Sequence, residues 1–118
     1  MLNTGVNQAA VVFDTNYSGI HVDGEPRRVM IAAMREAAKL AEAEGIVLTE
    51  EEIAEWVRII DGLSPDGMPS MRQDILAGRK TEVDLFAKTM IDLGKKHGIP
   101  TPVNDYFYEV IKEKEAKA

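Results

Sequence analysis

Apolar residues in this chain return at steps of three and four, and nowhere alternate for long enough to pair as a strand, which commits it to helices. From Leu2 to Phe13 the set Leu2, Val6, Ala9, Ala10 and Phe13 keeps to one helical face, and the segment leaves through a polar, turn-rich exit at Asp14 to Gly19. Pro26 stands where proline opens a helix, and Gly45 closes it. Its apolar stripe is Met30, Met34, Ala37, Ala38 and Ala41, small enough in places for a neighbouring helix to come close. Thr49-Glu50-Glu51-Glu52 is a capping box, with Leu48 and Ile53 placed as a hydrophobic staple and Ile53, Trp56, Val57 and Ile60 as the buried face behind it.

Two prolines and two glycines between Gly62 and Pro69 break the chain, and a short helix follows from about Ser70 to Ala77, stopped at Gly78. Thr81 with Asp84 resembles a further cap, launching a helix to about His97 that Gly98 and Pro100 end. Thr101-Pro102 caps the last helix, which carries Tyr106, Phe107, Val110 and Ile111 into a Lys/Glu-rich tail expected to fray. Val11-Val12-Phe13 and Ile20-His21-Val22 are too short to carry a sheet. The fold class read from these segments is all-α, a compact multi-helix domain.

Composition narrows function mainly by exclusion. At 118 residues there is material for one domain with a sizeable core. The net charge of −6 and isoelectric point near 4.9, with basic residues only in scattered pairs, argue against nucleic acid. The chain has no cysteine, so disulfides, thiolate metal sites and thiol nucleophiles are excluded. His21 and His97 lack nearby carboxylates at ligand spacing, so no metal site is expected. No apolar run is long enough for a bilayer and the N-terminus does not read as a signal peptide, which makes the cytoplasm the expected location. There is no G-x-G, hence neither a dinucleotide fingerprint nor a phosphate loop.

Four polar residues carry the remaining interest, each with two readings. Asn3 and Asn7, four apart, point the same way from a helix. Asn3 serves either as a cap with Asn7 simply exposed, or the two amides together bind a polar ligand, with Gly5 allowing a backbone or cofactor to approach. Ser70 follows Pro69 as an N-cap or offers a hydroxyl to a ligand. Glu82 is either a carboxylate favoured by a helix dipole or an acid facing a cleft.

The motifs around these residues resemble the C-terminal domain of ketopantoate reductases over nearly the whole chain. The family's N-x-x-x-N helix is matched by Asn3-Thr4-Gly5-Val6-Asn7, and its S-M-x-Q-D segment by Ser70-Met71-Arg72-Gln73-Asp74. Arg79-Lys80-Thr81-Glu82-Val83-Asp84 matches R-x-T-E-[IV]-D, and His97-Gly98-Ile99-Pro100-Thr101-Pro102 matches H-G-[IV]-x-[TV]-P, with Asn104 at the following helix start. The resemblance implies a helical domain like those of 6-phosphogluconate dehydrogenase-like reductases, packed on an N-terminal Rossmann domain, with the active site between the two.

It implies NADPH as hydride donor, ketopantoate as substrate, pantoate as product on the route to coenzyme A, and a lysine as general acid. Asn3 and Asn7 would position that lysine and the substrate, Ser70 would hydrogen-bond the substrate, and Glu82 would pair with the lysine or the substrate. The family's lysine stands four residues before the first asparagine, which here falls ahead of Met1, and no nucleotide-binding domain is read in residues 1–118. The chain alone is therefore expected to be inactive. Pairing as a homodimer is expected from the family. A non-catalytic helical interaction module and a reductase for another branched 2-keto acid are the competing readings.

Overall fold

Helices account for every regular element among the described residues of the computed structural model, which are residues 3–117; nothing is described for the side chains of Asn3, Thr4 and Leu85. Leu2 and Ala118 lie outside that range. The order is α1 (Asn3–Val12), α2 (Tyr17–His21), α3 (Glu25–Ala43), α4 (Glu50–Asp61), α5 (Ser70–Leu76), a π turn (Asp84–Lys88) running into α6 (Thr89–His97), and α7 (Pro102–Lys117). The Cα radius of gyration is 13.7 Å, close to the roughly 13.5 Å expected of a single folded domain this long.

The long helix α3 is the spine. Helix α1 packs chiefly on α3 and α5, and α3 also touches α2, α4, α6 and α7. Met30, Met34, Ala37, Leu40 and Ala41 of α3 are buried with Val6, Ala9, Ala10 and Val11 of α1 and Phe107 and Ile111 of α7. The close approach foreshadowed by the alanines is real, and Gly5 is its other half. A Cβ at Gly5 would lie 3.1 Å from the Met30 carbonyl oxygen and 3.4 Å from Ala33 Cβ. What Gly5 admits is therefore the backbone of α3.

Helix ends follow local chemistry in most places. Thr49 Oγ1 accepts the Glu52 N–H at 3.2 Å, and Ile53 is buried with Leu48 packed against the core. Gly78 and Gly98 adopt left-handed φ of 73° and 66°, conformations that cost a side-chain-bearing residue steric strain, and so end α5 and α6.

Elsewhere the structure departs from sequence expectation. The polar exit after α1 contains a helical turn, α2, whose buried Ile20 fastens it to the core. Trp56 is 38% exposed, because α4 rests on α2 and α3 only along its Ile53–Ile60 edge. Ser70 is the first residue of α5, not its cap; Pro69 holds the cap position and no side chain closes it. The charged tail is helical through Lys117, steadied by a Lys114–Asp14 ion pair at 3.0 Å.

The most instructive departure is at the start of α7. Glu36, buried on α3, accepts the N–H groups of Val103 at 3.0 Å and Asn104 at 2.9 Å, and also the Asn104 side-chain amide. The first turn of a helix leaves unsatisfied N–H donors, and a carboxylate answers both the donors and the dipole. The Thr101 hydroxyl donates to Asp105 instead, at 3.1 Å.

Candidate functional site

Asn7 and Ser70 meet. The Ser70 hydroxyl donates to Asn7 Oδ1 at 3.4 Å across the seam between α1 and α5, joining residues 63 positions apart. Proline at 69 and the tight packing of α5 on α1 place the hydroxyl at the exposed rim of that seam. A contact this long is near the limit of a hydrogen bond, so the hydroxyl can turn to a better partner at small cost. Asn3 belongs to helix α1, but its side chain lies outside the described residues.

Glu82 is not bonded to that pair. Its carboxylate is exposed and makes no hydrogen bond or ion pair with the described residues. Its immediate neighbours are fixed firmly. Thr81 donates both its N–H, at 2.6 Å, and its hydroxyl, at 2.7 Å, to Oε2 of Glu115 on α7. Asp84 accepts the Tyr108 hydroxyl at 2.9 Å and faces Lys112 Nζ at 3.5 Å. The Tyr108 hydrogen bond, and after it the charge of Lys112, hold the Asp84 carboxyl below its usual range; the same bond pushes the Tyr108 phenol up. Thr81 Oγ1 also accepts the Val83 N–H at 3.3 Å, so the expected Thr81–Asp84 cap is a Thr81–Val83 turn followed by the π turn.

Two polar residues near this region escaped the sequence reading. Gln8, beside Asn7, is completely buried, and neither end of its amide has a partner among the described residues. Arg72, two residues past Ser70, has a buried Nε in the same condition while its Nη1 donates to Asn16 Oδ1 at 3.2 Å. A glutamine directly ahead of the apolar run Ala9-Ala10-Val11 was the visible signal for Gln8. For Glu36 the signal was a charge between Ala33 and Leu40 on the apolar face of α3.

Two hollows in the surface are lined by neither Asn7 nor Ser70. A groove of about 600 Å³ is lined by Ala32, Arg35, Leu48, Ile53 and Pro102 among others, and not by Asn7, Ser70 or Glu82. A smaller one of about 390 Å³ lies against the Glu82 region, between Arg79, Lys80, Lys112 and Glu115. Among the described residues no cluster of His, Asp and Glu could hold a metal ion, and no helix is long and apolar enough to cross a membrane.

Comparison with known proteins decides the family. Residues 1–115 match the family described as ketopantoate reductase PanE/ApbA C terminal. The chain belongs to the ketopantoate reductase C-terminal family. A 2-dehydropantoate 2-reductase of Halobacterium salinarum is 32% identical over 104 residues, covering 87% of this chain and 34% of that protein. The chain thus spans about a third of the length of that curated relative. A dimeric ketopantoate reductase from Staphylococcus aureus superposes with a TM-score of 0.89 over 98% of this chain and 40% of its own, at 21% identity, which establishes the shared fold. A D-mandelate dehydrogenase solved with NADH gives 0.84 at 26% identity, with 98% and 40% covered. As a ketopantoate reductase C-terminal domain, the chain is the all-α unit that its periodicity announces.

Proposed function

We propose that this domain forms the substrate-facing, dimerising part of an NADPH-dependent ketopantoate reductase, with Asn3, Asn7, Ser70 and Glu82 toward the 2-keto acid. The observation that carries the reading is the Ser70–Asn7 contact. It brings two of the four motif residues to one rim although nothing local requires them to meet. A serine hydroxyl and an asparagine amide together donate to and accept from a substrate carrying carboxylate, carbonyl and hydroxyl oxygens. A carboxylate without a partner among the described residues, as at Glu82, is available to orient an ammonium group or a substrate hydroxyl.

Hydride supply does not reside in these residues. They include no G-x-G and, among those described, no strand to present one, so the fit for a nicotinamide dinucleotide is absent here. In this reading the nucleotide is held by a Rossmann portion of the parent enzyme, and the general-acid lysine stands four positions ahead of Asn3 on the same helical face. The D-mandelate dehydrogenase solved with NADH supports a nicotinamide cofactor of some kind and also sustains a second reading, a parent acting on another branched or aromatic 2-keto acid. Dimerisation is supported by the dimeric Staphylococcus aureus neighbour, together with exposed Val47, Trp56, Ile59 and Leu63 on and beside α4.

The test is a substrate profile of the reductase containing this domain. Oxidation of NADPH that is fastest with ketopantoate supports the assignment, and a clear preference for another 2-keto acid moves it to the second reading. The 118-residue chain alone is expected to leave NADPH unoxidised; turnover by it would overturn the proposed division of labour. Sedimentation of the chain is expected to show a dimer, and a monomer at high concentration counts against that part.

A further inference from the structure

We propose that Glu115, with Tyr108 and Lys112 on the same stripe of α7, acts as a positioning device for Glu82. The inference rests on the functional reading above in taking Glu82 as the working acid. Tyr108, Lys112 and Glu115 stand at i, i+4 and i+7, so they share one side of the helix. Each end of the Glu82 segment is tied to that side. Upstream, one Glu115 oxygen takes two donors from Thr81, at 2.6 and 2.7 Å. Downstream, Asp84 is held by Tyr108 at 2.9 Å and Lys112 at 3.5 Å. Lys112 Nζ also lies 3.6 Å from Glu115 Oε1, joining the two ties into one row.

Burial makes this row more than a set of surface pairs. The Glu115 side chain is only 11% exposed, Thr81 is buried, and Val83 is fully buried between the two ties. Glu82 is then the exposed residue of a segment held upstream by buried groups and downstream by the exposed Asp84 contacts with Tyr108 and Lys112. The π turn at Asp84–Lys88 adds to the effect: an extra residue in the turn rotates what precedes it by about 100° relative to α6. The direction of Glu82 is therefore set by α7 rather than by the helix it leads into.

Hydrogen exchange and kinetics test this together. In this chain, Glu115→Ala is expected to speed exchange of the Val83 amide by about tenfold or more while amides in the middle of α3 keep their rates. An unchanged Val83 rate would overturn the inference. In the reductase containing the domain, Glu115→Ala is expected to lower kcat/KM by about tenfold to a hundredfold, because a displacement near 1 Å at a reacting group is enough to do so. Glu115→Gln, which keeps an acceptor oxygen for Thr81, should recover most of that loss.

The decisive readout is non-additivity. If Glu115 works through Glu82, adding Glu115→Ala to Glu82→Gln costs little more than Glu82→Gln alone, whereas a general structural role would add its full cost. Full additivity, or a Glu115→Ala enzyme with unchanged kinetics beside a damaged Glu82→Gln enzyme, overturns the positioning role and leaves the proposed function standing. A silent Glu82→Gln removes the functional reading and this role with it.

Discussion

Glu36 of α3 caps α7 from 68 residues away, taking the Asn104 N–H at 2.9 Å on one carboxylate oxygen and the Val103 N–H at 3.0 Å on the other. A helix start has N–H donors with no partner inside the helix, and here a buried acid meets two of them. Glu36→Ala leaves those donors without an acceptor and is expected to cost about 3 kcal/mol. Glu36→Gln retains one acceptor oxygen and should cost less. Urea denaturation of both variants checks the order; equal stability of Glu36→Ala and the parent chain would show that water replaces the cap.

Gly94 sets the spacing between α6 and the turn into α7. A Cβ there would fall 2.6 Å from the Ile99 carbonyl oxygen and 2.6 Å from Thr101 Cγ2. The oxygen is backbone and belongs to the turn closed by the Ile99 N–H to Gly94 carbonyl bond at 2.8 Å, so it cannot move cheaply. Gly94→Ala is expected to destabilise the domain by about 1–3 kcal/mol, the usual range for forced overpacking. Gly24→Ala, whose new Cβ would meet Pro26 at an ordinary 3.9 Å, is the comparison and should stay near the parent in thermal melting.

Acid should weaken the domain partly through Asp61. Arg27 binds it with both guanidinium nitrogens, at 2.6 and 2.9 Å, pinning the end of α4 to the start of α3. The hydrogen bond to Arg27, opposed by burial and aided by its charge, lowers the Asp61 carboxyl. A carboxyl lowered in the folded state contributes stability that is complete above its unfolded pKa, about 4, and fades as pH falls through the lower folded value. The penalty of Asp61→Asn should therefore be largest near neutrality and shrink below that range. Unfolding curves at several pH values read this directly, and a constant penalty would contradict it.

Ser70 separates binding from stability. It is exposed, and its bond to Asn7 at 3.4 Å is weak. Ser70→Ala should therefore change the unfolding free energy by no more than about 0.5 kcal/mol. In the reductase containing this domain the same change should raise KM for the 2-keto acid about tenfold or more, the effect of losing a hydrogen bond to a charged group. Unaltered kinetics would remove Ser70 from the proposed site.

Legibility from sequence tracked how local each feature is. Thr49, Pro26, Gly78 and Gly98 announced helix ends because a cap or a left-handed turn involves only residues a few positions apart. Trp56 was misplaced for the complementary reason: α4 carries apolar residues over a wide arc, and periodicity alone does not say which part of the arc finds a neighbour. Helix α2 was overlooked because a five-residue turn is too short to show a period, and it persists through Ile20 and through His21, whose ring meets the Ile60 carbonyl at 2.8 Å.

The amino-acid order by itself determined an all-helical chain, most of its helix boundaries and the motifs that mark its family, since these depend on neighbours within a turn or two. Packing alone decided that Ser70 reaches Asn7, that Glu36 caps α7, and that Glu115 holds Thr81, pairs separated by 63, 68 and 34 positions. Such meetings depend on which helix faces close on one another, and that choice is made by burial summed over the whole core rather than by any local preference.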